Sequence, residues 1–210
     1  MNRWQHLIFR IVLILSVTLT LSAHAGDYTL VPEQFIYCTT CHGVELAGNR
    51  LVDAPRLAGI ERWYAENQIR AFQKGWRGAH EQDATGMEMR AQVISLDDEQ
   101  IRDAIAFITS VPARANRISP TVTGNIEKGK SLYVACAACH GQNGEGSVAN
   151  LAPALAGQSD WYLVRQLRKF QNGVRGYVSA DVSGKRMRAA SALSKDAAAI
   201  ESVAAYIDTL

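Results

Sequence analysis

The chain has 210 residues, 48% of them hydrophobic and 20% charged, with a formal net charge of +2. That composition is ordinary for a soluble globular protein, and the length allows one large domain or two small ones. The charges are too evenly balanced for a general nucleic-acid binder, which carries a basic excess.

Taken in chain order, residues 1–25 stand apart. Arg3 and Arg10 are the only formal charges there, an apolar run covers Ile11 to Leu21, and Ala23-His24-Ala25 forms a small-residue cleavage pattern. This is the layout of a secretory signal. The apolar run is about half of the roughly 20 residues a membrane-spanning helix needs. Cleavage after Ala25 is expected, giving a periplasmic chain of 185 residues that starts at Gly26, has no formal net charge and contains no transmembrane segment. Its charge is uneven: residues 26–118 carry a net −3 and residues 119–210 a net +3. Such a dipole could orient the molecule toward a charged partner, or simply reflect two differently solvated surfaces.

The remaining elements read as helical. A short segment spans Glu33 to Tyr37, and Ile69 and Phe72 end a longer amphipathic one. Ser95-Leu96-Asp97-Asp98 resembles a capping box, followed by Ile101, Ala104, Ile105 and Ile108 at helical spacing. Residues 111–124 are rich in Pro, Ser, Thr, Asn and Gly, as a linker is. Beyond them come a segment around Ile126–Ala135, an apolar face of Val164, Leu167 and Phe170, and a stripe of Ile200, Val203, Ala204 and Ile207. No period-two strand pattern appears.

A repeat organises these elements. Shifted by 98 residues, the chain matches itself without a gap. Cys38, Cys41, His42 and Gly43 fall on Cys136, Cys139, His140 and Gly141. Pro55-x-Leu57-Ala58-Gly59 falls on Pro153-x-Leu155-Ala156-Gly157, and Trp63-Tyr64 on Trp161-Tyr162. Gln68, Phe72, Gly75, Arg77 and Gly78 fall on Gln166, Phe170, Gly173, Arg175 and Gly176. GMEMRA at 86–91 falls on GKRMRA at 184–189. The expected organisation is therefore a signal at 1–25, a first domain at 26–113, a linker at 114–122 and a second domain at 123–210. Domains of about 90 residues have marginal cores and often need a staple.

Cys-x-x-Cys-His supplies the candidate staple, because it is the attachment signature of c-type haem. Two thiols one helical turn apart can add to the two vinyl groups of one porphyrin edge, and the next residue sets an imidazole under the iron. Zinc would bring the two pairs to one metal, yet each pair has its own histidine in its own repeat. A thioredoxin-like dithiol wants a βαβ setting, and structural disulfides need no repeated histidine. The reading is two haem c groups, anchored by Cys38 and Cys41 and by Cys136 and Cys139, with His42 and His140 on the irons. The candidate sixth ligands are methionines, which raise the reduction potential and close the iron to substrates. The mature chain has only Met87, Met89 and Met187, and Met89 aligns with Met187 within polar, glycine-bearing loops. Met89 and Met187 are the expected ligands. The stretch following Met187 is one residue longer than its counterpart in the first copy. His80 falls on Val178 and reads as solvent-exposed rather than ligating.

With CTTCHG and CAACHG, APRLAG and APALAG, the two Trp-Tyr segments and the two methionine loops, the chain resembles class I cytochromes c, and more narrowly the dihaem cytochromes of the c-four type. The resemblance covers essentially the whole mature chain. It implies an all-α architecture of two tandem cytochrome c domains about a pseudo-twofold axis, each wrapped around one covalent haem. It implies that Pro55 and Pro153 offer backbone carbonyls to the proximal histidines. It also places the Trp63/Tyr64 and Trp161/Tyr162 pairs beside the haem or its propionates, although the same residues fit ordinary core packing. The implied function is electron transfer from a respiratory complex or dehydrogenase toward a terminal oxidase. The alternatives are a cytochrome subunit of a periplasmic dehydrogenase and a haem enzyme such as a peroxidase.

Overall fold

In the computed structural model, residues 31–112, 120–192 and 196–210 are described. The expected signal and residues 114–119 of the expected linker lie outside them. The first half contains α1 (Ile36–His42), α2 (Arg62–Gln73), α3 (Ala84–Val93) and α4 (Asp98–Ser110). The second contains α5 (Ile126–His140), α6 (Asp160–Gln171), α7 (Val182–Ser191) and α8 (Ala197–Ile207). Among the described residues there is no strand. Two isolated bridges, Asn49 with Ala54 and Ser147 with Ala152, occupy equivalent positions of the repeat.

Local chemistry sets the helix boundaries. The capping box of α4 lies two residues later than the sequence suggests: Asp97 accepts from Gln100 N, and the Gln100 side chain accepts from Asp97 N. Satisfying two otherwise unpaired N–H groups fixes the start of that helix. The expected stripe of α4, Ile101, Ala104, Ile105 and Ile108, is buried, and so is that of α8, Ile200, Val203, Ala204 and Ile207. Each buried isoleucine contributes about 1.5–3 kcal/mol relative to exposure. In the first half α2 and α3 close over α4, through Ala65, Ile69, Phe72 and Val93. In the second, α5 crosses α8 at very short range, because a Cβ on Gly129 would lie 2.0 Å from the Ser202 carbonyl oxygen. Only glycine lets the two backbones approach this closely.

The two halves belong to one unit spanning Glu33–Leu210, and their shared surface is polar. Arg56 donates to Gly157 O at 3.3 Å, and Gln158 donates back to Arg56 O at 3.1 Å. Lys169 of α6 pairs with Asp83 and donates to Thr85 Oγ1 at 2.8 Å. Arg165 pairs with Asp53. His80, expected to be exposed, is half-buried because it meets Tyr177 of the other half edge-on at 5.3 Å between ring centroids.

Candidate haem-binding sites

The cysteines and histidines come together as the spacing requires. Cys38 and Cys41 lie on α1, and Cys136 and Cys139 on the last turn of α5. His42 and His140 are the last residues of these helices. The following residues, Gly43 and Gly141, adopt φ of 80° and 82°, which turns the chain sharply away from each histidine. Both imidazoles are buried, and Nδ1 lies 2.7 Å from the carbonyl oxygen of Pro55 or Pro153. A carbonyl only accepts, so Nδ1 carries the proton and Nε2 keeps its lone pair for a metal. Burial pushes both histidines below the usual imidazole range, only partly opposed by the proline carbonyls and, at His140, by Glu61. Both are therefore neutral, the form that ligates.

All four cysteines are free of disulfides. Burial pushes the thiols of Cys38 and Cys136 upward, although Tyr37 works against it at Cys38. A reactive dithiol shows the opposite shift. Among the described residues no three His, Cys, Asp or Glu side chains are grouped to hold a bare metal ion. This donor set fits thioether anchoring of a haem, not zinc.

The methionines lie on helices rather than the expected loops. Asp83 and Asp181 each cap a ten-residue helix by accepting from Gly86 N at 3.2 Å and Gly184 N at 2.8 Å. Those caps order GMEMRA and GKRMRA into α3 and α7. Met89 is half-buried and packs against the core of the first half, and Met187 is half-buried at the matching position. Met87 is 40% exposed.

Sequence reasoning assigned no role to the polar cluster between the halves. Arg77 donates to Gln68 Oε1 at 2.7 Å and to the Tyr162 hydroxyl at 3.3 Å. Arg175 donates to Gln166 Oε1 at 2.6 Å and to Gln68 Oε1 at 3.2 Å, and it also bonds Tyr64. Each guanidinium lies 4.3 Å from the centroid of its own half's Phe72 or Phe170 ring. Burial opposes ionisation of Tyr162, but the two guanidiniums outweigh it and lower its pKa. Both arginines are buried, and among the described residues neither pairs with a carboxylate. Among the described residues Arg77 Nε has no hydrogen-bond partner. Two buried cations without a directly paired carboxylate are costly. The carboxylates of a haem's propionates are the counter-charge such a pair would accept, so the residues present fit the group. The in-register repetition of Gln and Arg was the available signal. By contrast, an open cavity of about 650 Å³ lined by Arg50, Asp53, Thr121, Trp161, Arg165 and Lys169 contains none of the cysteine, histidine or methionine candidates.

Residues 33–112 and 126–210 match the family model for cytochrome c. The chain belongs to the cytochrome c family, with the family's domain present twice. Within it the chain stands with the dihaem cytochromes c4. It is 31% identical over 205 residues to cytochrome c4 of Azotobacter vinelandii, covering 91% of this chain and 95% of that protein. It is 29% identical over 195 residues to the thiosulfate dehydrogenase electron acceptor of Stutzerimonas stutzeri, covering 85% of this chain and 86% of that protein. The structure of reduced cytochrome c4 from Pseudomonas stutzeri superposes with a TM-score of 0.64 at 26% identity, over 84% of this chain and 95% of that one. A thiosulfate dehydrogenase from Marichromatium purpuratum superposes with a TM-score of 0.66 at 28% identity, over 82% of this chain. This chain spans only 36% of that protein's length. The protein is thus an electron-transfer protein carrying two covalently attached haem c groups.

Proposed function

We propose that the chain is a periplasmic electron carrier in which Cys38 and Cys41 hold one haem and Cys136 and Cys139 the other. His42 and Met89 ligate the first iron, and His140 and Met187 the second. The observation that carries this reading is the doubled arrangement of a buried, neutral histidine oriented by a proline carbonyl at 2.7 Å, directly after a cysteine pair. The haem supplies a one-electron change at iron. The chain's own residues hold its orientation, fix the imidazole tautomer and keep water from the ligand side. Half-burial favours Met89 over exposed Met87 as the sixth ligand. The domains are read as 26–113 and 123–210, joined at 114–122, with residues 1–25 as an export signal. Among the described residues no helix is long and apolar enough to cross a membrane.

The donor is read as a periplasmic dehydrogenase and the final acceptor as a terminal oxidase. Relatives named as thiosulfate dehydrogenase electron acceptors favour a thiosulfate-oxidising donor. Rapid reduction by such an enzyme with thiosulfate, followed by stopped-flow absorbance, is the expected result. Reduction no faster than by thiosulfate alone removes that donor.

The ligand assignment is tested by the visible spectrum of the reduced protein with and without carbon monoxide. No change is expected, because both irons are six-coordinate. A shifted Soret band means that one sixth ligand is labile. Met89→Ala and Met187→Ala should each lose low-spin character at one iron, whereas Met87→Ala should not. An unchanged spectrum in either of the first two removes that methionine.

A further inference from the structure

We infer that Glu61, in the first half, is a positioning residue for the haem of the second half and lowers its reduction potential. Glu61 sits immediately before α2, where a side-chain oxygen ordinarily accepts from the helix's first N–H groups. It makes no such bond. Instead Oε1 accepts from Trp63 Nε1 at 3.0 Å, and Oε2 crosses to accept from Ala154 N at 2.8 Å. That N–H belongs to the same peptide group as the Pro153 carbonyl, which accepts from His140 Nδ1 at 2.7 Å. A peptide is one resonance-coupled dipole. A negative charge at its N–H end polarises it and makes its oxygen a stronger acceptor, as in any hydrogen-bonded chain. The His140 ring gains electron density, its Nε2 becomes a stronger donor, and the ferric state is favoured.

The arrangement runs in one direction only. The residue 98 positions after Glu61 is Ser159, which carries no charge and whose Oγ has no partner among the described residues. Two haems with the same proposed ligand types are thereby separated in potential by the docking of the halves. The inference rests on the reading that His140 is an iron ligand.

The test is a redox titration of the full-length dihaem protein, with each haem followed by its own NMR methyl signals. Glu61→Gln keeps the shape and an acceptor oxygen but removes the charge. It should raise the reduced-to-oxidised ratio of the His140 haem about fivefold at fixed potential. That is roughly 40 mV for a one-electron couple, at about 59 mV per tenfold. The other haem should move less than about twofold, and Glu61→Asp should restore part of the shift. Equal movement of both haems, or of neither, overturns the inference. If Gln disturbs docking, Trp63→Phe keeps the charge but frees one carboxylate oxygen. Relieved of that donor, the carboxylate polarises the Ala154 peptide more strongly, so the same haem should shift the opposite way and by less, and no shift there also overturns it. His140→Ala separates the two readings: retained low-spin character at both irons rejects His140 as a ligand, whereas its loss leaves only the Glu61 inference at stake.

Discussion

Asp160 shows how much a single carboxylate can organise. It accepts from Thr121 N at 2.6 Å, from Thr121 Oγ1 at 2.7 Å and from Val122 N at 2.7 Å, tying the end of the linker to the start of α6. Burial pushes its carboxyl up, but these donors outweigh burial and hold it below the usual carboxylate range. A carboxylate with a depressed folded-state pKa contributes stability that is complete above its unfolded value, about 4, and is lost as pH falls through the folded value. Asp160→Asn should therefore cost about 1–3 kcal/mol at neutral pH. In guanidinium unfolding the gap from the parent protein should close below about pH 4. A gap that stays constant with pH would mean the charge is not what stabilises the linker. Nothing local marks this role of Asp160, since Thr121 and Val122 lie almost forty residues away. The cysteine and histidine candidates were legible because their chemistry is encoded within five consecutive residues.

At the scale of elements, the helices carrying the methionines and the α5–α8 crossing were only partly legible. The apolar stripes of α4 and α8 announce themselves because burial selects one face at helical period. The methionine segments have no such stripe and read as loops, yet the Asp83 and Asp181 caps make them helices. Asp181→Ala should cost about 1 kcal/mol and fray α7. With Met89 and Met187 as the proposed sixth ligands, the weak sulfur-to-iron charge-transfer absorption of the second haem should diminish while that of the first is retained. Gly129→Ala should force α5 from α8 and cost about 1–3 kcal/mol by overpacking, read as a lowered Tm with the visible spectrum unchanged. An unaltered Tm would mean the crossing relaxes freely.

For the whole molecule, the decisive contacts cross between halves that the repeat makes similar but not identical. Lys169 has Ala71 as its repeat counterpart, so its pairing with Asp83 at the cap of α3 has no reciprocal. Burial pushes the Asp83 carboxyl up, yet hydrogen bonding and charge from Lys169, then Gly78 N, hold it below the usual range. The pair's contribution is thus present at neutral pH and lost on acidification through the folded pKa. Lys169→Met leaves a carboxylate only 1% exposed without its cation and should cost about 3–5 kcal/mol. The loss should fall on the first half, with hydrogen exchange of α3 accelerated before that of α7. Equal acceleration in both helices would show that Lys169 acts on the molecule uniformly.

The sequence by itself determined the duplication, the helical class, the two candidate haem-attachment motifs and the family, because each depends on residue type at short spacing or on a register repeated over a whole domain. Tertiary structure alone decided the rest. Arg77 and Arg175 share Gln68 Oε1 with no carboxylate paired to either among the described residues, Lys169 reaches the cap of α3, and Glu61 meets the peptide that holds His140. These partners lie 86 to 98 residues apart, and Glu61 and Lys169 have no counterpart in the repeat. No local pattern encodes such meetings, because they follow from how two folded halves dock, and docking depends on surfaces that exist only once each half is built.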